Sequence, residues 1–177
     1  MRILKRLAGA VLLLALVFVA VGLLLPRAVS VERSIVIDAP PSEVFPYVNS
    51  LKAGADWSPW LGRDPEVALT YSGPDDGVGA TLEWASDHPQ VGNGRQEIVA
   101  SEPDARVETA LDFGDMGAAT AQFLLVPENG RTTVTWTLDT DMGGNPVGRW
   151  MGLMMDRWVG GDYETGLSNL KNLVEGG

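Results

Sequence analysis

Val147, Trp150, Met151, Met154, Met155 and Trp158 recur at i, i+3, i+4, i+7, i+8 and i+11, which places six apolar side chains on one stripe of an α-helix. Thioethers are flexible and polarizable, and indoles offer wide stacking faces with one donor each. Such a stripe suits the wall of a cavity that accepts varied apolar molecules, and the same spacing also serves a plain core. Trp57 and Trp60 lie in the loop Trp57-Ser58-Pro59-Trp60. They can form the rim of that cavity, dip into a lipid interface, or fold back and plug the end of the core.

Polar chemistry is sparse. His88 is the one histidine, in the run Asp87-His88-Pro89, and reads as a solvated loop residue rather than a general base. One histidine and no cysteine cannot supply the usual zinc set. Asp139-Thr140-Asp141 before Gly143 and Gly144 lacks the spacing and closing glutamate of a calcium loop. Gly77-x-Gly79 has Leu82 where a dinucleotide fingerprint needs glycine, and no G-x-S-x-G elbow is present. No catalytic residue, metal site or cofactor is therefore assigned. An enzyme would have to draw on Tyr71, Asp112, Asp139 and Tyr163, which form no motif.

Composition narrows the partners. The chain has 177 residues and a net charge of −10; beyond Ser30 it carries nine basic against 23 acidic residues, a net of −14. That balance repels nucleic acid and anionic head groups, so no nucleic-acid partner is expected. Without cysteine there is neither disulfide nor thiol chemistry.

The N-terminus sets the location. Arg2, Lys5 and Arg6 precede an unbroken apolar run, residues 7–25 (LAGAVLLLALVFVAVGLLL). As a helix this run is about 28 Å long, close to the hydrocarbon thickness of a bilayer. Residues 1–30 are read as a membrane anchor and linker, and residues 31–177 as one domain. The basic bias before the run places the N-terminus in the cytoplasm and the domain outside, in the periplasm or at the cell surface. The alternative is a secretory signal removed near Ala28-Val29-Ser30.

The elements that must position the stripe follow from periodicity. Val31–Asp38 alternates as a strand, and a short helix is predicted from Pro41 to Asn49, weakened by Pro46. Residues 52–64 read as a loop. Strands are predicted around Val67-Leu69-Tyr71, Ala80-Leu82-Trp84, Gln96–Ser101, Val107–Phe113, Gln122–Val126 and Val134-Trp136-Leu138, joined by short turns. The C-terminal helix carries the stripe; Gly160-Gly161 should interrupt it, with Asp162 capping a second segment. The inward strand residues Leu69, Leu82, Trp84, Leu111, Phe113, Phe123 and Trp136 then form the opposite wall.

Several stretches carry a family resemblance: Arg33-Ser34-Ile35-Val36-Ile37-Asp38-Ala39-Pro40 before Val44-Phe45, the Trp57-Ser58-Pro59-Trp60 loop, and the Gly92-to-Phe113 hairpin around Ser101-Glu102-Pro103. Thr133-Val134-Thr135-Trp136 and the tail Gly166-Leu167-x-x-Leu170-Lys171-x-Leu173 add to it. From Val31 to Glu175 the chain resembles the START-like (SRPBCC) superfamily of polyketide cyclase/dehydrase and lipid-transport proteins. The resemblance implies an α+β helix-grip fold, in which a curved antiparallel sheet of about six or seven strands wraps a long C-terminal helix. It also implies a hydrophobic cavity between helix and sheet, with no shared catalytic set. The N-terminal transmembrane helix departs from it. The reading is a membrane-tethered domain that holds a small hydrophobic molecule or lipid. A cyclase- or hydrolase-type enzyme using the same cavity, and a ligand-free interaction module at the membrane, are the alternatives.

Overall fold

The computed structural model describes residues 2–176. An apolar helix α1 (Arg2–Leu24) leads through three residues into strand β1 (Ala28–Ile37). Helix α2 (Pro41–Val48) and two short 3-10 turns follow, then β2 (Ala68–Ser72), β3 (Thr81–Ala85), β4 (Gly94–Glu102), β5 (Arg106–Asp112), β6 (Ala118–Glu128), β7 (Arg131–Asp141) and the closing helix α3 (Pro146–Glu175). The seven strands form one antiparallel sheet in the order β1-β7-β6-β5-β4-β3-β2. The chain after β1 crosses to the far edge and returns strand by strand, so β1 and β2 are the two edges. The α+β helix-grip fold is thus present, with α1 preceding it.

Alternation decides which side chains face α3. In β7, Thr132, Val134, Trp136 and Leu138 are buried, while Thr133, Thr135 and Thr137 between them are half-exposed. The register links such residues into rows across the sheet. Val31, Leu138, Ala121, Thr109, Ile98 and Ala80 make one row, buried throughout. From there toward Ile37 and Thr132, the inward residues of β1, β7 and β6 are also buried, except Arg33, Ile35 and Pro127 at the hairpin.

The closing helix differs from its sequence expectation. It runs unbroken through Gly160-Gly161, and Asp162 caps nothing. Its buried face is Gly152, Gly160, Tyr163, Gly166, Leu167 and Leu170, laid mainly along β1. Glycine is tolerated mid-helix here because tertiary packing replaces its lost propensity. A Cβ on Gly160 would collide with the Arg33 guanidinium, so this glycine makes the groove through which Arg33 passes. Arg33 rises from the inward face of β1 and bonds Asp156 at 2.9 Å and Glu164 at 2.7 Å on α3. Its hydrogen bonds to Asp156 hold that carboxyl below the usual aspartate range.

Strand bounds also differ modestly. The first strand begins at Ala28 rather than Val31, because Ala28, Val29 and Ser30 pair with Asp141, Thr140 and Asp139. The sixth strand extends through Pro127, which pairs with Thr132 near the hairpin.

The packing of α3 can be tested in two ways. Gly161 is exposed with open space around it, so Gly161→Ala should stabilise through helix propensity, whereas Gly160→Ala must displace Arg33. We expect the two variants to differ by about 2 kcal/mol in unfolding experiments on the full chain in detergent. The other test uses acid. A carboxylate with a depressed folded pKa stabilises the fold above its ordinary value, and that contribution is lost as pH falls through the depressed value. Acid destabilisation should therefore set in from the ordinary aspartate value of 3.8 downward, and Asp156→Asn should flatten this limb of the stability–pH curve.

Candidate functional site

An aromatic cluster occupies the middle of the grip. The Trp136 indole from β7 stacks on Tyr163 of α3, with centroids 3.8 Å apart and planes at 7°. Phe123 of β6 stacks on the same indole at 4.8 Å. Trp57 meets Trp136 and Phe123 edge-on at 5.4 and 5.7 Å, and Trp60 meets Trp136 and Tyr163 edge-on at 5.7 and 6.0 Å. Edge contacts of this kind match the ring quadrupoles. Of the three placements open to the loop that carries both tryptophans, it adopts the plug, folded back over the core.

Polar tips pin this plug. Trp57 Nε1 donates to the Tyr47 carbonyl at 3.2 Å, and Asn169 on α3 donates to the Trp57 carbonyl. Trp60 Nε1 donates to Asp162 Oδ2 at 2.9 Å, and Arg63 forms an ion pair with the same carboxylate. Gly166 faces Trp136 and Pro59 so closely that a Cβ there would lie 2.9 Å from the indole. One donor in the cluster, Trp136 Nε1, is buried without a partner among the described residues. Burial holds the Tyr163 hydroxyl far above its ordinary pKa, and the Asp139 charge adds to that. Burial also raises Tyr71, so both phenols stay protonated at neutral pH.

Beyond the sealed rows lies an open end. The next inward row is Val29, Thr140, Ala119, Leu111, Gln96, Leu82 and Tyr71, and all but Leu82 are half-exposed. Leu69 and Trp84 follow, also half-buried, with Phe113 edge-on to Trp84 at 6.0 Å. Val29 touches α3 at Gly152, so this end of the sheet lies by the start of α3.

The α3 stripe does not lie flat on the sheet. Met155 is half-buried against the core, and Trp150 is half-buried against α1, while Met151, Met154 and Trp158 are exposed. The reason is the glycine face. Close approach to β1 turns Gly152 and Gly160 inward and carries the bulky residues around toward solvent. Among the sequence-derived wall residues, Trp57, Leu82, Phe123 and Trp136 are buried, Trp60 is half-buried, and Leu69, Trp84, Leu111 and Phe113 line the open end. Residue types alone pointed past Arg33, Arg63 and the three glycines; glycines recurring within a helical pattern were the available signal of close approach.

The four titratable candidates are not brought together. Tyr71 and Tyr163 face inward, whereas Asp112 and Asp139 are exposed on the opposite face, Asp112 accepting from the Gly114 amide. A polar depression of about 660 Å³ gathers Asp64, Ser86, His88 and Asn93 near the β3–β4 connection. There Ser86 Oγ donates to Asp64, the bond that chiefly lowers the Asp64 pKa, while His88 Nδ1 accepts from the Gln90 amide. The Ser86 hydroxyl accepts in turn from the His88 backbone amide at 2.9 Å, and the network serves to shape the loop.

The family model for polyketide cyclase / dehydrase and lipid transport matches residues 28–175. The chain belongs to this family. Its fold is one that binds hydrophobic ligands. Solved structures share that fold. A solution structure from Thermobifida fusca is 20% identical, covering 82% of this chain and 92% of that one, with a TM-score of 0.63. The Aha1 dimer from Colwellia psychrerythraea is 18% identical over 83% of this chain and 96% of that one, with a TM-score of 0.56. The di-domain ARO/CYC StfQ of the steffimycin biosynthetic pathway is 13% identical over 84% of this chain and 51% of that one, with a TM-score of 0.63. Comparison with curated proteins gave no match. Helix α1 is long and apolar enough over Ile3–Leu24 to cross a membrane, and fits a signal anchor or a span.

Asp162→Ala removes the acceptor of Trp60 and the partner of Arg63 at once. We expect it to cost about 1–2 kcal/mol and to shift tryptophan emission to the red, as read by equilibrium unfolding and fluorescence.

Proposed function

We propose that this chain is a membrane-tethered container that holds a small hydrophobic molecule or lipid between α3 and the sheet. The observation that carries this reading is the unequal closure of the grip. Its inner rows are sealed by side chains, while the end lined by Leu69, Trp84, Leu111 and Ala119 stays half-exposed and mainly apolar, with Gln96 and Thr140 its polar members. Apolar surface held open in this way gains from a guest that removes it from water. The plug of Trp57, Trp60, Phe123 and Trp136 would form the floor on which the guest rests. Trp136 Nε1 would give a guest with an acceptor oxygen a reason to reach that floor, since an unpaired buried donor costs about 1–3 kcal/mol. Trp150, Met151, Met154 and Trp158 would lie outside the wall, near the mouth.

Retention of α1 is part of the reading. Cleavage near Ala28-Val29-Ser30 would remove residues that pair with β7, together with the Arg27–Asp141 ion pair. Arg2, Lys5 and Arg6 ahead of the run favour a cytoplasmic N-terminus and an extracytoplasmic domain.

The test is native mass spectrometry of the full chain released from detergent after incubation with membrane lipids, alongside titration with a fluorescent fatty acid. A one-to-one apolar adduct is expected. Leu111→Asp should weaken probe binding about tenfold or more, by placing a charge in the apolar end. A folded protein that takes up neither lipid nor probe overturns the reading.

A further inference from the structure

The open end of the grip and the membrane helix lie on the same side of the molecule. Only Leu25, Pro26 and Arg27 separate α1 from β1. The chain therefore enters the sheet at Ala28, and Val29 beside it lies in the half-exposed row that marks the open end. The start of α3 closes against α1 there. Trp150 stacks on Phe18 with centroids 5.3 Å apart and planes at 11°, and its Nε1 donates to the Phe18 carbonyl at 3.1 Å. Gly22 receives Pro146 and Trp150 so closely that a Cβ there would lie 2.7 Å from Pro146. Arg149 donates to the carbonyls of Leu23 and Leu25.

These contacts fix a depth. Phe18 lies six residues before Leu24, about 9 Å back along α1. If α1 spans the bilayer, Trp150 lies beside its last apolar turns, at or below the level of the head groups. Next to Trp150 on α3, Val147, Met151, Met154 and Trp158 recur at i, i+4, i+7 and i+11, 51, 49, 39 and 51% exposed. Elsewhere in the domain the exposed large apolar residues are Val36, Val78, Val99 and Met116, singly on separate elements, the pair Leu124 and Val126 on the outer face of β6, and Leu153 on α3 beside the stripe. Scattered residues need no partner, whereas a continuous stripe does. The charges of this segment suit an interface. Arg149 is engaged by α1 carbonyls and Asp156 by Arg33, which leaves Arg157 exposed among the apolar groups. Tryptophan, methionine and a lone arginine on one helix surface match the acyl–head-group boundary.

From this we infer that the first half of α3, Pro146 to Trp158, is a membrane-interface element that lies in the head-group layer and turns the open end of the grip toward the lipid. The occupant of the exposed stripe is the bilayer itself. A guest drawn from that bilayer then moves from acyl chains into an apolar mouth without crossing water. This rests on the container reading for its guest, but the immersion of α3 stands or falls by itself.

The chain has no cysteine, so single cysteines at Val147, Met151 or Met154 each give one spin-label site in the full-length protein in phospholipid nanodiscs. Val126 on the far part of β6 serves as the water reference, and Val11 in α1 as the membrane reference. We expect the α3 sites to show high oxygen and low nickel-chelate accessibility, as Val11 does, and Val126 to show the reverse. Each site is already exposed, and unchanged circular dichroism confirms that a label leaves the fold intact. Water-like accessibility at all three α3 sites, with Val11 immersed, overturns the inference and leaves the tether in place. Water-like accessibility at Val11 as well overturns both. In a second arm, Met151→Asp with Met154→Asp should slow uptake of a fluorescent fatty acid from vesicles several-fold while leaving its affinity in detergent unchanged. An unchanged uptake rate counts against the inference, and so does a loss of affinity in detergent, which would put Met151 and Met154 in the guest's binding wall instead; failure of the unsubstituted protein to bind the probe counts against the container reading.

Discussion

The architecture depends on how closely α3 approaches the edge strand β1. Gly152 and Gly160 leave no side chain between helix and strand, and the space they free is taken by Val29 and by the Arg33 guanidinium. Arg33 then ties two turns of α3 through Asp156 and Glu164. A half-buried arginine meeting two exposed carboxylates contributes register more than stability, since such pairs are largely screened. Sliding α3 by one turn would separate the guanidinium from both partners and drive a larger residue into the glycine groove. The consequences reach across the molecule. With α3 at this height, Tyr163 lands flat on Trp136, Gly166 clears the indole and Pro59, and Asp162 meets Trp60 and Arg63. The tryptophan loop is thus held by groups whose placement was settled on the other side of the helix.

That arrangement gives the grip two unlike ends. Toward Ile37, Thr132 and Leu170 the layers are filled by branched aliphatic side chains. In the middle the aromatic cluster fills the space. Toward Val29 and Leu69 the inward residues are smaller or only half covered, and the helix above them carries its large side chains on another face. Packing accounts for both ends together. Glycines that draw α3 onto β1 also remove the bulk that would otherwise cover the far strands at this end. The seam that stabilises the closing helix is therefore also what leaves apolar surface uncovered beside α1.

The family to which the chain belongs takes in polyketide cyclase / dehydrase and lipid-transport proteins, and the titratable groups of this chain are divided between its inward and outward faces. Tyr71 and Tyr163 are kept protonated by burial, and the carboxylates Asp112 and Asp139 face away from them. Between its apolar side chains the inward face carries the hydroxyls of Thr109, Thr132 and Thr140, the Gln96 amide and the indole donor of Trp136.

Much of this was legible in the residues. Local patterns fix local structure. The uniform apolarity of residues 7–25 determined a helix without a polar face, the threonines alternating with Val134, Trp136 and Leu138 determined a half-buried strand, and Asn129-Gly130 determined the turn before it. The sequence by itself thereby determined the α+β order of elements and the inward identity of Trp136, Phe123 and Leu82. Tertiary structure alone decided which face of α3 meets the sheet. Hydrophobic spacing favoured the Met/Trp stripe, but a helix bearing glycines can come nearer to a strand than one bearing side chains, and the half-buried Arg33 needs that groove. It alone decided, too, that Gly160-Gly161 stays helical and that Trp150 turns toward Phe18, since both depend on surfaces that exist only once distant segments have met.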